Sequence, residues 1–110
     1  DLVFEWEGRV YLLDWKSNLL ENYSKQRLAE AVYEHYLMQL QIYALATVRW
    51  LKLHDEEAYK KRFGGILYVF LRGMKDVDAF HFERPSWAKL KAYESELERP
   101  RKSYPAAISA

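Results

Sequence analysis

The sequence predicts an α/β domain in which a mixed central sheet, built from a hairpin over 1–16 and a strand over 66–72, is flanked by helices. Three observations predict it. Two runs rich in β-branched, aromatic and leucine residues, DLVFEW at 1–6 and RVYLLDW at 9–15, stand on either side of Glu7-Gly8, a two-residue hairpin signal. A long helix-favouring stretch poor in Gly and Pro runs from Ser24 to about Leu53. After it, ILYVFLR at 66–72 is a strand apolar on both faces, the pattern of a central strand covered by helices.

Taken in order, the hairpin comes first and Ser24 is the expected N-cap of the helical stretch, which a break near His35 and Tyr36 divides into two helices. Asp55 caps a further short helix through Arg62. Gly64-Gly65 punctuates the chain before the strand at 66–72. DAFHFER at 78–84 alternates and predicts another strand, and Pro85-Ser86 leads into an amphipathic helix over 87–98. Residues 1–99 are thus expected to form one core. The segment 100–110, PRKSYPAAISA, lacks a core-forming pattern and is expected to be a mobile tail, with Arg99, Arg101 and Lys102 a solvated basic run.

Composition narrows the function. A chain of 110 residues with 50% apolar and 16% aromatic residues has the makings of a single packed core. Its 17 basic and 16 acidic residues leave a net charge of +1, which is no electrostatic footprint for unaided nucleic-acid binding. The absence of cysteine rules out disulfides, thiolate zinc sites, iron–sulfur clusters and a cysteine nucleophile within these residues, and points to a reducing, cytoplasmic setting. The longest apolar run, ILYVFL at 66–71, is too short to span a bilayer, so no membrane partner is expected. Opening on an aspartate suggests a piece of a longer polypeptide.

The hairpin carries the chemistry. With Glu7-Gly8 as the loop, Trp6 pairs with Arg9, every cross-strand pair sums to fifteen, and Asp1 falls opposite Asp14. Period-two alternation brings Lys16 out on the face of Asp14. Two carboxylates with Cβ atoms ~5 Å apart repel by ~3 kcal/mol at an effective dielectric of about 20. A divalent cation such as Mg²⁺ or Mn²⁺ offsets that repulsion, and Lys16 offsets part of it alone. Glu5 shares the face but lies ~13 Å from Asp1 along the strand, too far for the same ion. On residue types alone the plainer explanation, a strand-end ion pair facing water, is the commoner one.

An aspartate opening one strand, a twelve-residue interval and Asp-x-Lys closing the next resembles the metal-dependent nuclease superfamily named for its PD-(D/E)xK motif. Three stretches, DLVFEWEGRVYLLDWKSN, QLQIYALA at 39–46 and FGGILYVFLRG at 63–73, resemble the C-terminal nuclease domain of the RecB family, over Asp1 to about Pro85. The resemblance implies a restriction-endonuclease-like core occupying residues 1–99. It implies metal binding by Asp1, Asp14 and the backbone carbonyl of Trp15, with Lys16 orienting or activating the attacking water. Gln39 and Tyr43 match the family's glutamine-x-x-x-tyrosine signature, which implies substrate contact, although an aromatic on such a helix more often packs into a core. The implied activity is Mg²⁺-dependent DNA hydrolysis, with Mn²⁺ able to substitute. The implied partners are DNA, RecC-like and RecD-like subunits, and a helicase portion of the same polypeptide.

The family places a histidine upstream of the aspartate matched by Asp1, and this chain begins after it. No Walker motif is present in these residues, so they are not expected to bind ATP. Two other readings fit the same residues: an AddB-like or CRISPR-associated nuclease, against which zero cysteines argue, and a catalytically silent module docking subunits or DNA. Ser17 and Asn18 are either phosphate contacts or strand-ending turn residues. His35, His54 and His81 lack a ligand at metal spacing and are expected at the surface or an edge.

Overall fold

The computed structural model describes residues 2–75 and 77–98. Asp1 and the tail from residue 99, with Arg99, Arg101 and Lys102, lie outside the described residues, and so does the expectation of a mobile tail. The described chain runs β1 (Leu2–Trp6), β2 (Arg9–Lys16), α1 (Lys25–His35), α2 (Leu37–Trp50), α3 (Glu56–Arg62), β3 (Phe63–Phe70), β4 (Phe80–Glu83) and α4 (Trp87–Leu97). The strands form one sheet in the order β1-β2-β3-β4, antiparallel at both edges and parallel between β2 and β3. This is the mixed α/β sheet the sequence predicts, consistent with a restriction-endonuclease-like core.

Glu7 and Gly8 both take positive φ, 50° and 80°, as a turn matching the right-handed strand twist requires. The register follows: Trp6 pairs with Arg9 and Leu2 with Leu13. Ser24, Asp55 and Ser86 each accept a hydrogen bond from the backbone N–H three residues on, capping α1, α3 and α4. Tyr36 separates α1 from α2 with φ −127° and ψ 13°.

Two expectations change. β3 begins at Phe63 and ends at Phe70, so Gly64 and Gly65 lie inside the strand where punctuation was expected. They are there for space: the Tyr11 ring lies over Gly64 and the Phe82 ring over Gly65, where a Cβ would meet ring atoms at 2.4 and 2.5 Å, and Gly65 has φ 136°. A register shift between Val10 and Tyr11 absorbs the extra residue. The helices also cover one face of β3 where cover on both was expected. Leu28 and Val32 of α1, Leu40 and Ala44 of α2, Tyr59 of α3 and Leu90 of α4 enclose Ile66, Tyr68 and Phe70, while Leu67 and Val69 on the other face stay partly exposed.

Candidate functional site

β2 crosses from the core to its edge within four residues. Leu12, Asp14 and Lys16 share the helix-covered face, opposite Ile66, Tyr68 and Phe70 on β3. α2 passes over this end of the strand, with Gln39 and Tyr43 one turn apart on the same side. Parallel pairing fixes the height of Asp14 and Lys16, and Gln39 of α2 and Tyr36 at the junction of α1 and α2 meet Lys16.

Asp14 is one of two buried polar residues in the described chain, with 4% of its surface exposed. The Lys16 ammonium lies 2.9 Å from Asp14 Oδ2 with 12% of its side chain exposed. That contact is charge proximity, because no donor is aligned on Oδ2, which is buried without a hydrogen-bond partner. Lys16 Nζ donates to Gln39 Oε1 at 3.1 Å, and Gln39 Nε2 donates to the Tyr43 hydroxyl at 3.2 Å. Asp14, Lys16, Gln39 and Tyr43 therefore form one chain of polar contacts across β2 and α2. A water-facing strand-end pair is not what the fold builds.

Tyr36, backed by Tyr68 and Asn18, holds this cluster. The face of the Tyr36 ring lies 3.8 Å from Lys16 Nζ, and Tyr36 stacks on Tyr68 with centroids 6.1 Å apart. The Tyr36 hydroxyl donates to Asn18 Oδ1 at 2.8 Å, while Tyr23 donates to the Asn18 carbonyl at 3.0 Å. Asn18 thus serves the turn, one of the two roles open to it in the sequence. Ser17 is exposed and its carbonyl accepts from Arg72 Nε at 2.7 Å. Sequence reasoning missed Tyr36 as a site residue. The helix break marks its backbone, but only the folded packing brings its ring under Lys16.

Asp14 is the carboxylate of the site that could hold a hard cation, its Oδ2 being shared with the Lys16 ammonium at 2.9 Å. Among the described residues no three His, Cys, Asp or Glu side chains gather as a metal site. Asp1, the second carboxylate expected there, lies outside them.

The histidines divide. His54 is exposed and His35 half-exposed, as expected. His81 sits on edge strand β4 but is largely enclosed, its Nε2 2.8 Å from Glu83 Oε1, and Glu83 Oε2 accepts from the Tyr33 hydroxyl at 2.8 Å. The hydrogen bond from His81, ahead of that from Tyr33, holds the Glu83 carboxyl below its usual range against the opposing effect of burial. Period-two spacing in FHFE was the available signal for this pair.

No protein-family model matches the chain. Curated relatives do. The chain is 47% identical over 81 residues to RecBCD enzyme subunit RecB of Escherichia coli, covering 67% of the chain and 7% of that protein. It is 39% identical over 94 residues to the RecB subunit of Haemophilus influenzae, covering 78% and 8%, and 35% identical over 81 residues to that of Borreliella burgdorferi, covering 69% and 7%. The chain spans less than a tenth of the length of these relatives. With identity of this level recurring in bacteria as distant as these, the chain belongs to the RecB family.

Proposed function

We propose that the chain is the nuclease segment of a RecB-type polypeptide and hydrolyses DNA phosphodiesters with Mg²⁺, for which Mn²⁺ substitutes. The observation that supports this reading best is the Asp14–Lys16–Gln39–Tyr43 chain, buried at Asp14 and part-buried beyond it. Burying a carboxylate and an ammonium is costly, and a structural role would be met as well by apolar residues of similar size. Asp14, with Asp1 and the Trp15 carbonyl, would hold the metal. The register sum that predicts Asp1 opposite Asp14 holds at all five described pairs of the hairpin. When bound, the metal lowers the pKa of water and neutralises charge developing on the phosphate.

The chain's own residues do the rest. Lys16 sets a positive charge beside Asp14, where a cation favours hydroxide over water and screens the carboxylate. Gln39 fixes that charge by accepting from Nζ, and its amide group links on to the Tyr43 hydroxyl. Gln39 and Tyr43 would bind the phosphate backbone at the mouth of the site. In the parent protein the proposed partners are DNA, the helicase portion of the same polypeptide, and RecC-like and RecD-like subunits, in the repair of double-strand ends.

The test is nucleotide release and unwinding measured on one duplex with the full-length subunit. Asp14→Ala and Lys16→Ala are expected to lower release by roughly 100-fold or more while unwinding continues. Release at the parental rate by Lys16→Ala would remove the role assigned to it.

A further inference from the structure

The contact between Lys16 and Tyr36 has no part in the metal chemistry, yet it is among the closest cation–ring contacts of the described chain. Resting on the nuclease reading above, we propose that Tyr36 is a positioning residue for Lys16: its ring is a platform that fixes where the ammonium sits relative to Asp14 and Gln39. Three observations converge on it.

A lysine side chain has four rotatable bonds and a compact charge, so two polar partners on one side leave it free to swing. Asp14 Oδ2 and Gln39 Oε1 lie 2.9 and 3.1 Å from Nζ. The ring face, 3.8 Å from Nζ, adds an attractive wall made of a different element. Tyr36 is itself fixed at both ends, its ring stacked at 16° on the buried Tyr68 and its hydroxyl donating to Asn18. Finally, the backbone is bent for it. The stretch from Ser24 to Leu53 contains neither Gly nor Pro and is able to run as one helix, but α1 ends and α2 begins at Tyr36. The hydroxyl bond, the stacking on Tyr68 and the helix break thus hold in place the ring whose other face meets Lys16.

The experiment has a spectroscopic arm and a kinetic arm, with Tyr36→Phe, which keeps the ring, and Tyr36→Leu, which removes it. In NMR spectra of the 110-residue chain the Lys16 ε-methylene protons are expected upfield of lysines without a ring contact, as those of Lys25 over Phe80 also are, to stay there in Tyr36→Phe and to move back toward ordinary positions in Tyr36→Leu while the Lys25 signal stays in place. In the full-length subunit Tyr36→Leu is expected to lower kcat for DNA cleavage by at least about tenfold with little change in KM, since a misplaced catalytic group costs rate rather than affinity. Tyr36→Phe is expected to restore most of that loss. An unshifted Lys16 signal, parental kcat in Tyr36→Leu, or equal damage from Phe and Leu would each overturn the proposal, the last by showing that the bond to Asn18 matters and the ring does not. Parental cleavage by Lys16→Ala would instead remove the catalytic role of Lys16, parental cleavage by Asp14→Ala would overturn the nuclease reading of this site, and in either case the NMR arm would still decide whether Tyr36 positions Lys16.

Discussion

Asp14 and Tyr68 face each other across β2 and β3, and each carries a buried oxygen without a hydrogen-bond partner. Burial, and then the charge of Asp14, drives the Tyr68 hydroxyl to a pKa far above the ordinary range, so it stays protonated at any working pH. An unpaired buried hydroxyl costs about 1–3 kcal/mol in desolvation. Tyr68→Phe, which keeps the ring stacked on Tyr36, is therefore expected to leave stability unchanged or raise it by about 1 kcal/mol, read from urea midpoints. A loss of that size would mean that the hydroxyl has a partner, such as a water held between it and Asp14. The sequence showed Asp14 and Lys16 because period-two alternation is local and survives folding. It could not show the Tyr68 hydroxyl or the Tyr36 ring, whose partners lie on other elements brought close only by packing.

Among the elements, those whose ends are set by short-range chemistry were legible. Ser24, Asp55 and Ser86 cap helices within three residues of themselves, and Glu7-Gly8 sets the hairpin by its own dihedrals. β3 was misjudged at its start because Gly64 and Gly65 answer to rings from β2 and β4, a tertiary demand that reads in sequence as a turn. β4 shows the same limit at side-chain level, where His81 and Glu83 make a polar clasp with Tyr33 of α1. The clasp has a pH signature. Since Glu83 is held below its ordinary value of 4.5, its contribution to stability is complete above that pH and is lost as pH falls through the depressed folded-state value. The groups around it are His81, Tyr33, Tyr93 and Lys89. In Glu83→Gln, urea midpoints are expected to fall less between about pH 7 and about pH 3 than in the parent, and to start lower. Parallel curves for the two proteins would show that the clasp does not couple folding to protonation.

At the scale of the molecule, the four helices lie on the face of the sheet that carries Asp14 and Lys16, and no helix of the described residues is long and apolar enough to cross a membrane. The other face is left aromatic and bare. Leu2, Trp6, Trp15 and Phe82 are each 46–60% exposed, and Leu67 and Val69 are partly so. A parallel strand pair such as β2–β3 is ordinarily buried on both sides, and a continuous apolar patch on a protein surface is uncommon. β3 is central in the sheet and apolar on both faces, but the expectation of helices over both fails among the described residues, where the cover is one-sided. The consequence is measurable on the 110-residue chain. An apolar fluorescent dye is expected to bind the native protein, and the double substitution Trp15→Lys with Phe82→Lys is expected to reduce that binding while shifting stability by no more than about 0.5 kcal/mol per site, as surface changes do. Phe82 lies over Gly65, so a larger loss would show that its ring supports the strand as well as facing solvent. Dye binding undiminished by both substitutions would place the accessible apolar surface elsewhere than on this face of the sheet. Because Asp14 and Lys16 point to the opposite face, the pair should be neutral to the Lys16–Tyr36 contact, whose upfield signal serves as the internal control.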